Sequence, residues 1–346
     1  MAVLVRSAHW WESKVPPLLA VAYAHILVHS LSASRALPAV VALATSVALL
    51  ASYAHSVNDT FDVECDTRAG KENSVAGLTR IGRVARSALL GVAGLVPWLW
   101  YRPGGLALAA LVAIVVLPLA YSAPPIRLKE RGAAGLVTDA AMAHGAPTLF
   151  VSLVFADLAS RPHSTTAALV VLATAWSFCV GLRGILVHQI QDVRNDELGG
   201  VRTYVVGSGV DRARALCSRV LFPAEACLIA ALLVALARVH AGVAAVCVIY
   251  SVVFQIARRF WALAQEPAPV DPRMRIALFE FYVVWPPLLL ALALAARRPV
   301  FLVLVVAHAL LFGAAVDRQL RGIVSRVGPF IWRSGSTALH ALGLRR

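Results

Sequence analysis

Apolar residues in this chain run in long blocks. Segments of roughly the length that crosses a bilayer as a helix, about 17 to 25 residues, lie at about 15–34, 36–57, 84–101, 104–121, 133–157, 165–188, 215–237, 240–257, 276–296 and 299–316. These ten candidate spans fill most of the sequence, several of them short and closely spaced. No segment alternates apolar and polar residues between hairpin turns, which argues against a β-barrel. The pattern predicts an all-α, polytopic transmembrane bundle. Residues 1–316 are expected to form a single domain, and 317–346 a basic, partly amphipathic tail on the cytoplasmic side.

Polar residues interrupt the blocks in few places, and their charges choose an orientation. With the N-terminus in the cytoplasm and alternating sides thereafter, the long loops 58–83, 122–132, 189–214 and 258–275 are cytoplasmic. Most of the 32 Lys and Arg then fall on that side. The far side holds only Arg35, Arg102, Arg161, Arg238, Arg297 and Arg298, while Arg183 lies inside a span. This is the positive-inside asymmetry. Composition agrees: 60% of residues are hydrophobic, 14% are charged and the mean hydropathy is +0.75, whereas soluble domains carry about 25% charged residues. A net charge of +14 would suggest nucleic acid in a soluble protein. Here it is spread over several loops and both termini, so no nucleic-acid partner is expected. The use of 29 Arg against 3 Lys, with abundant Ala and Val, points to a bacterial inner membrane. The five cysteines form no C-x-x-C pair and lack zinc-site spacing to His, so neither disulfides nor zinc are expected.

Two cytoplasmic stretches are acidic where apolar spans end. In SVNDTFDVECDTRAGKEN, residues 56–73, a helical continuation places Asn58, Asp59, Asp62 and Asp66 within one arc of about 100°. His55 falls inside that arc and Glu64 outside it. In GILVHQIQDVRNDELGGVRTYVVGSG, residues 184–209, Asp192 and Asp196 share a face flanked by His188, Gln189 and Asn195. Carboxylates crowded on one helical face repel each other unless a cation is shared. Hard oxygen ligands of this kind suit Mg²⁺, which keeps several waters and is commonly shared with substrate phosphates. The spacing does not match an EF-hand loop. A solvated loop end would explain either stretch alone, but not two in the same register on the same side of the membrane.

Between them lies YSAPPIRLKERG, residues 121–132. Pro124 and Pro125 break the helix. Arg127, Lys129 and Arg131 alternate, so an extended segment would project them to one side. Alone this reads as an ordinary positive-inside loop. Beside two Mg²⁺-type clusters it supplies the cations that a diphosphate requires.

These motifs resemble a known family. NDTFDVECD has the N-D-x-x-D-x-x-x-D form of the first aspartate-rich motif of the UbiA superfamily of intramembrane prenyltransferases, and DVRND has the D-x-x-x-D form of its second. YSAPPIRLKERG looks like the Y-S-x-P-P-x-R-x-K segment between them, and GVRT follows the second motif as it does in that family. The resemblance covers roughly residues 10 to 300. It implies a bundle, usually of nine spans and so nine to ten here, around a central cavity capped by the cytoplasmic loops. It implies that Asn58, Asp62, Asp66, Asp192 and Asp196, with Asp59 at the edge of the cluster, hold two Mg²⁺ ions bridging an isoprenyl diphosphate. Lys71, Tyr121, Arg127 and Lys129 would hold the diphosphate, and Asp62, Asp66, Asp192 and Asp196 would carry catalysis. Glu197, in DELGG, departs from the small residue expected there and leaves the acceptor open.

The expected reaction is transfer of a prenyl group to an unidentified acceptor, with pyrophosphate released, the cation shielded from water by a cavity inside the bundle, and the apolar tail extending between helices toward membrane lipid. The alternative is a terpene cyclase of the same superfamily, in which the substrate's own double bond captures the cation. Trp98, Trp100, Trp176 and Trp285 could serve it through cation–π contacts, although aromatics at span ends normally anchor the interface. An ion-coupled carrier would place its charges nearer the bilayer midplane. His25, His29, Asp139 and Glu280 are expected to be structural. Arg183, on the helical face opposite Asp192, stays outside the expected site.

Overall fold

The computed structural model describes residues 7–159, 163–262 and 281–326, and every regular element among them is helical. The chain forms α1 (Ser7–His29), α2 (Ala33–Arg68), α3 (Arg80–Tyr101) and α4 (Gly105–Ser122). A 3₁₀ turn (Leu128–Glu130) leads into α5 (Ala133–Asp157) and α6 (Thr166–Gly199). The short α7 (Tyr204–Ser208) precedes α8 (Val210–Ala237), α9 (Ala241–Ala262), α10 (Phe281–Arg297) and α11 (Leu302–Arg326). π-helical turns interrupt α5 at Ala141–Gly145 and α8 at Cys217–Leu221.

The described part of each of the ten apolar segments falls mainly on one of these helices. Among the described residues seven helices are long and apolar enough to cross a membrane: α2 to α6, α8 and the Pro299–Arg321 stretch, with Tyr282–Arg297 a shorter apolar helix. Helices are the natural outcome, because only internally bonded backbone is tolerated in hydrocarbon. The first part of the 276–296 segment, most of the 258–275 loop, Glu280 and the chain beyond Arg326 lie outside the described residues. The helix α11 runs past 316, so residues 317–326 continue it.

Local chemistry sets the helix ends. Thr79 Oγ1 accepts a hydrogen bond from the Gly82 amide at 3.1 Å and caps α3. Gly200, at φ 72°, provides the left-handed residue that closes α6. The chain leaves α4 just before Pro124 and Pro125, which disfavour helix in the residue ahead of them.

Within the bundle α2 lies along α3, α1 packs on α10 and α5, and α6 packs on α8 and α5. At Gly94 a Cβ would sit 2.7 Å from Leu50 Cγ, so the approach of α2 to α3 requires glycine there. Polar side chains join helices across the interior. Ser46 Oγ donates to the Gly94 carbonyl at 2.7 Å, and Trp98 Nε1 donates to Ser46 Oγ at 2.7 Å. Large apolar side chains such as Leu89, Leu99 and Leu310 remain exposed on the outer surface, where lipid is their natural solvent.

Two helices are longer than a bilayer needs. With 36 and 34 residues, α2 and α6 extend about 54 and about 51 Å at 1.5 Å per residue, against a hydrocarbon core of about 30 Å. Part of each therefore extends beyond the apolar layer, and the C-terminal turns of both carry the acidic stretches.

Candidate active site

The two acidic helix ends meet. A Cβ on Gly199, in the last turn of α6, would lie 3.4 Å from the Cys65 carbonyl in the last turns of α2. Between them is a pocket of about 140 Å³. Asn58, Asp62 and Asp66 line it from α2, and Asp192 and Asp196 from α6. Three of the residues expected to hold a diphosphate, Lys71, Tyr121 and Lys129, complete the wall.

Each acid is held by a defined partner. Lys129 Nζ is bonded to both carboxylate oxygens of Asp62 and reaches Asn58 Oδ1 at 3.4 Å. Arg127 NH2 donates to Asp62 Oδ1 at 3.2 Å, while Arg127 Nε donates to Glu130 Oε1 at 2.5 Å. Burial works against the charge on Arg127, but the bond to Glu130 and the nearness of Asp62 outweigh it and raise its pKa. Lys71 Nζ spans the pocket to Asp192 Oδ2 at 2.8 Å. Thr203 Oγ1 donates to Asp196 at 3.2 Å, and Ser122 Oγ donates to Asn58 at 3.2 Å.

The connection after α2 folds back over the site. Asn73 Nδ2 donates to Asp66 Oδ2 at 2.7 Å and to the Asp59 carbonyl at 2.9 Å. Ser74 Oγ donates to Asp59 Oδ2 at 2.5 Å. The Asp59 carboxylate is thus engaged by this loop and, buried, lines the larger chamber described below.

The basic segment differs from its sequence expectation. It is not extended: Arg127 has φ 40° and Leu128–Glu130 form a 3₁₀ turn. The turn buries Lys129 and aims it at Asp62, whereas Arg131 NH2 donates to the Pro125 carbonyl at 2.9 Å, on the exposed side. Alternation therefore does not place all three cations together, because a turn of three residues separates neighbours that a strand would align.

The donor set is entirely oxygen. Among the described residues, no three His, Cys, Asp or Glu side chains group closely enough to hold a metal ion by themselves. Carboxylates and an amide spread over two helix ends fit a hard cation that keeps waters and takes further oxygens from a ligand, not one enclosed by protein.

The pocket opens into a chamber of about 820 Å³ inside the bundle, and Asn58, Asp66, Lys71, Tyr121 and Asp192 line both spaces. The chamber is largely apolar, with Trp98, Phe150 and Trp176 in its walls. Trp100, by contrast, is 87% exposed on the outer surface. A second polar group sits in the chamber wall. Lys14 Nζ donates to His144 Nε2 at 2.6 Å, and Asp139 lines the same space. His144 belongs to the π-helical turn of α5, a deformation that re-aims side chains and is frequent at functional sites.

Lys14 and His144 were not legible as site residues in the linear sequence, yet a signal for the first was present. The chain has only three lysines, Lys14, Lys71 and Lys129, and each lines the pocket or the chamber. Arg183 lies away from the acidic pocket, buried against Glu225.

The UbiA prenyltransferase family model matches residues 15–279, and the chain belongs to that family. With its long apolar helices it is an integral membrane protein. It is similar in fold to a UbiA homolog from Archaeoglobus fulgidus bound to GPP and Mg²⁺, with a TM-score of 0.58 and 15% sequence identity, over 88% of this chain and 98% of that one. The structure of a UbiA homolog from the same organism bound to DMAPP and Mg²⁺ gives a TM-score of 0.59 at 15% identity, over 85% of this chain and 98% of that one. No curated protein matches the sequence.

Proposed function

We propose that this protein is a Mg²⁺-dependent intramembrane prenyltransferase, which ionises an isoprenyl diphosphate, transfers the prenyl group to an acceptor and releases pyrophosphate. One observation carries the reading: carboxylates from two helix ends face Lys71 and Lys129 across a small pocket that opens into an apolar chamber. The diphosphate and Mg²⁺ of the archaeal relatives support the same substrate class here.

In this reading Asn58, Asp62, Asp66, Asp192 and Asp196 hold Mg²⁺, with Asp59 supporting them through the loop it binds. Bound Mg²⁺ neutralises charge building on the leaving diphosphate. Lys129 and Arg127 share Asp62, and Lys71 binds Asp192; each cation exchanges its carboxylate for a diphosphate oxygen when substrate enters. Tyr121, which lines both pocket and chamber, helps hold the diphosphate. The apolar walls keep water from the prenyl cation.

The Lys14–His144 pair and Asp139 favour transfer over cyclisation, because they offer a polar place for an acceptor and its proton. The bond from the prenyl carbon to diphosphate oxygen breaks, a bond to the acceptor nucleophile forms, and the acceptor's proton passes to this group. The aromatic lining favours a second reading, a terpene cyclase, since Trp98, Phe150 and Trp176 could stabilise a migrating cation.

The active-site loops face the cytoplasm of a bacterial inner membrane. The chain forms a single domain of nine to ten spans over residues 1–316, and the basic segment that follows begins as the continuation of α11 over 317–326. Purified protein given Mg²⁺ and isoprenyl diphosphates of increasing length should release pyrophosphate. Asp62→Ala and Asp192→Ala should each lower the rate by about 100-fold or more. Unchanged release in both variants would overturn the two-cluster site. Product analysis separates the two chemistries: cyclic hydrocarbon formed without any acceptor identifies the cyclase.

A further inference from the structure

A second charged cluster lies deep in the bundle, where ionic groups are costly. Arg183 of α6 and Glu225 of α8 form a bidentate pair, with Nε to Oε2 at 2.6 Å and NH2 to Oε1 at 3.0 Å. They are 2% and 0% exposed. Tyr282 of α10 donates its hydroxyl to Glu225 Oε1 at 2.9 Å. The pair thus ties three helices to one tyrosine. Replacing a buried ion pair by apolar side chains is often neutral or stabilising, so cohesion alone is a weak reason for its presence.

What Tyr282 touches supplies a stronger reason. Its ring packs edge-on against Trp176, with centroids 4.6 Å apart. These two side chains line the main chamber, and they also line a separate cavity of about 60 Å³ behind it. Among the described residues, only Pro17 lines both spaces with them. The cavity beyond is apolar, bordered by Leu169, Ala173, Leu233 and Cys247. Trp176 and Arg183 lie two turns apart on one face of α6. Trp176 also lies about 24 Å along that helix from Asp192, at the opposite end of the chamber from the acidic pocket.

We propose that Trp176 and Tyr282 form the floor of the prenyl-chain channel, that the Arg183–Glu225 pair is the device positioning it, and that the apolar cavity behind receives the distal isoprene units of longer chains only when the floor is opened. The inference rests on the diphosphate chemistry proposed above. A chain anchored by its diphosphate between α2 and α6 extends down the chamber and meets the aromatic pair. Moving Tyr282 aside breaks its hydrogen bond to a charged partner in an apolar setting, which a prenyl tail cannot replace.

The test measures binding by the full-length purified protein with Mg²⁺. The ligands are non-reacting thiolodiphosphate analogues of dimethylallyl, geranyl, farnesyl, geranylgeranyl and octaprenyl chains. The wild type should show a chain-length cut-off. Trp176→Ala should move it at least one isoprene unit longer, raising affinity for the first excluded chain, relative to geranyl, by about tenfold or more. Trp176→Phe, which keeps a ring there, should restore the wild-type profile. Tyr282→Phe, which retains the ring and removes the hydroxyl that bonds Glu225, should blur the cut-off in the same direction; a purely structural pair would leave the length ratio unmoved. A wild type that binds every length equally, or a cut-off unmoved in both Trp176→Ala and Tyr282→Phe, overturns the floor while leaving the diphosphate reading intact. Failure to bind any length overturns both.

Discussion

The acidic pocket and the buried Arg183–Glu225 cluster use the same chemistry for opposite ends. Each pairs a carboxylate with a cation across helices. In the pocket the Lys71–Asp192 pair is partly open, with 32% and 26% side-chain exposure, the Lys129–Asp62 pair is more enclosed at 6% and 10%, and a cavity lies beside both. In the bundle, Glu225 bonds both Arg183 and Tyr282 and is wholly buried. An ion pair next to open volume can exchange partners when a charged ligand arrives. One that is enclosed and multiply bonded holds a geometry. Adjoining free space separates the candidate site from the enclosed pair here, rather than residue type.

That contrast can be broken experimentally. The largest effect is expected at the brace. Glu225→Gln removes the anion that balances Arg183 in an apolar interior and should cost about 3–5 kcal/mol of stability, read as a lowered unfolding temperature in detergent. A double Arg183→Met and Glu225→Met change should recover most of it; if the double variant is as unstable as the single one, the cost was not the stranded charge. Next comes the pocket. Lys129→Met should lower pyrophosphate release by about 10 to 100-fold with a smaller change in unfolding temperature, and Lys129→Arg should restore only part of the rate, because a planar fork does not reproduce an ammonium. Equal losses of stability in Lys129→Met and Glu225→Gln would erase the distinction. The smallest effect belongs to the loop that covers the pocket. Ser74→Ala removes the hydroxyl's bond to Asp59 while the backbone amide there keeps its own at 3.3 Å, and should weaken that loop by about 1 kcal/mol, visible as faster amide exchange over residues 70–78.

Much of the site was legible because its parts lie on long helices. Asn58, Asp62 and Asp66 recur at helical spacing, as do Asp192 and Asp196, and helical continuation alone puts each set on one face. Charge asymmetry then set both on one side of the membrane. The basic segment was legible in composition but not in shape, since positive φ at Arg127 and the 3₁₀ turn depend on how the chain leaves α4. Lys14, His144 and Glu225 were obscure for another reason. None of them belongs to a run of polar residues at helical spacing, so no periodicity marks what will meet it.

The sequence by itself determined an all-helical membrane protein, its family, and the two carboxylate faces, because local periodicity and bilayer physics act on contiguous residues. Only the tertiary structure decided which groups confront one another: Lys129 with Asp62, Lys71 with Asp192, Lys14 with His144, and Arg183 with Glu225 beneath Tyr282. Those pairings join residues distant in the chain, and they follow from how close α2, α6, α8 and α10 approach. That is set by packing volume and shape across the whole bundle.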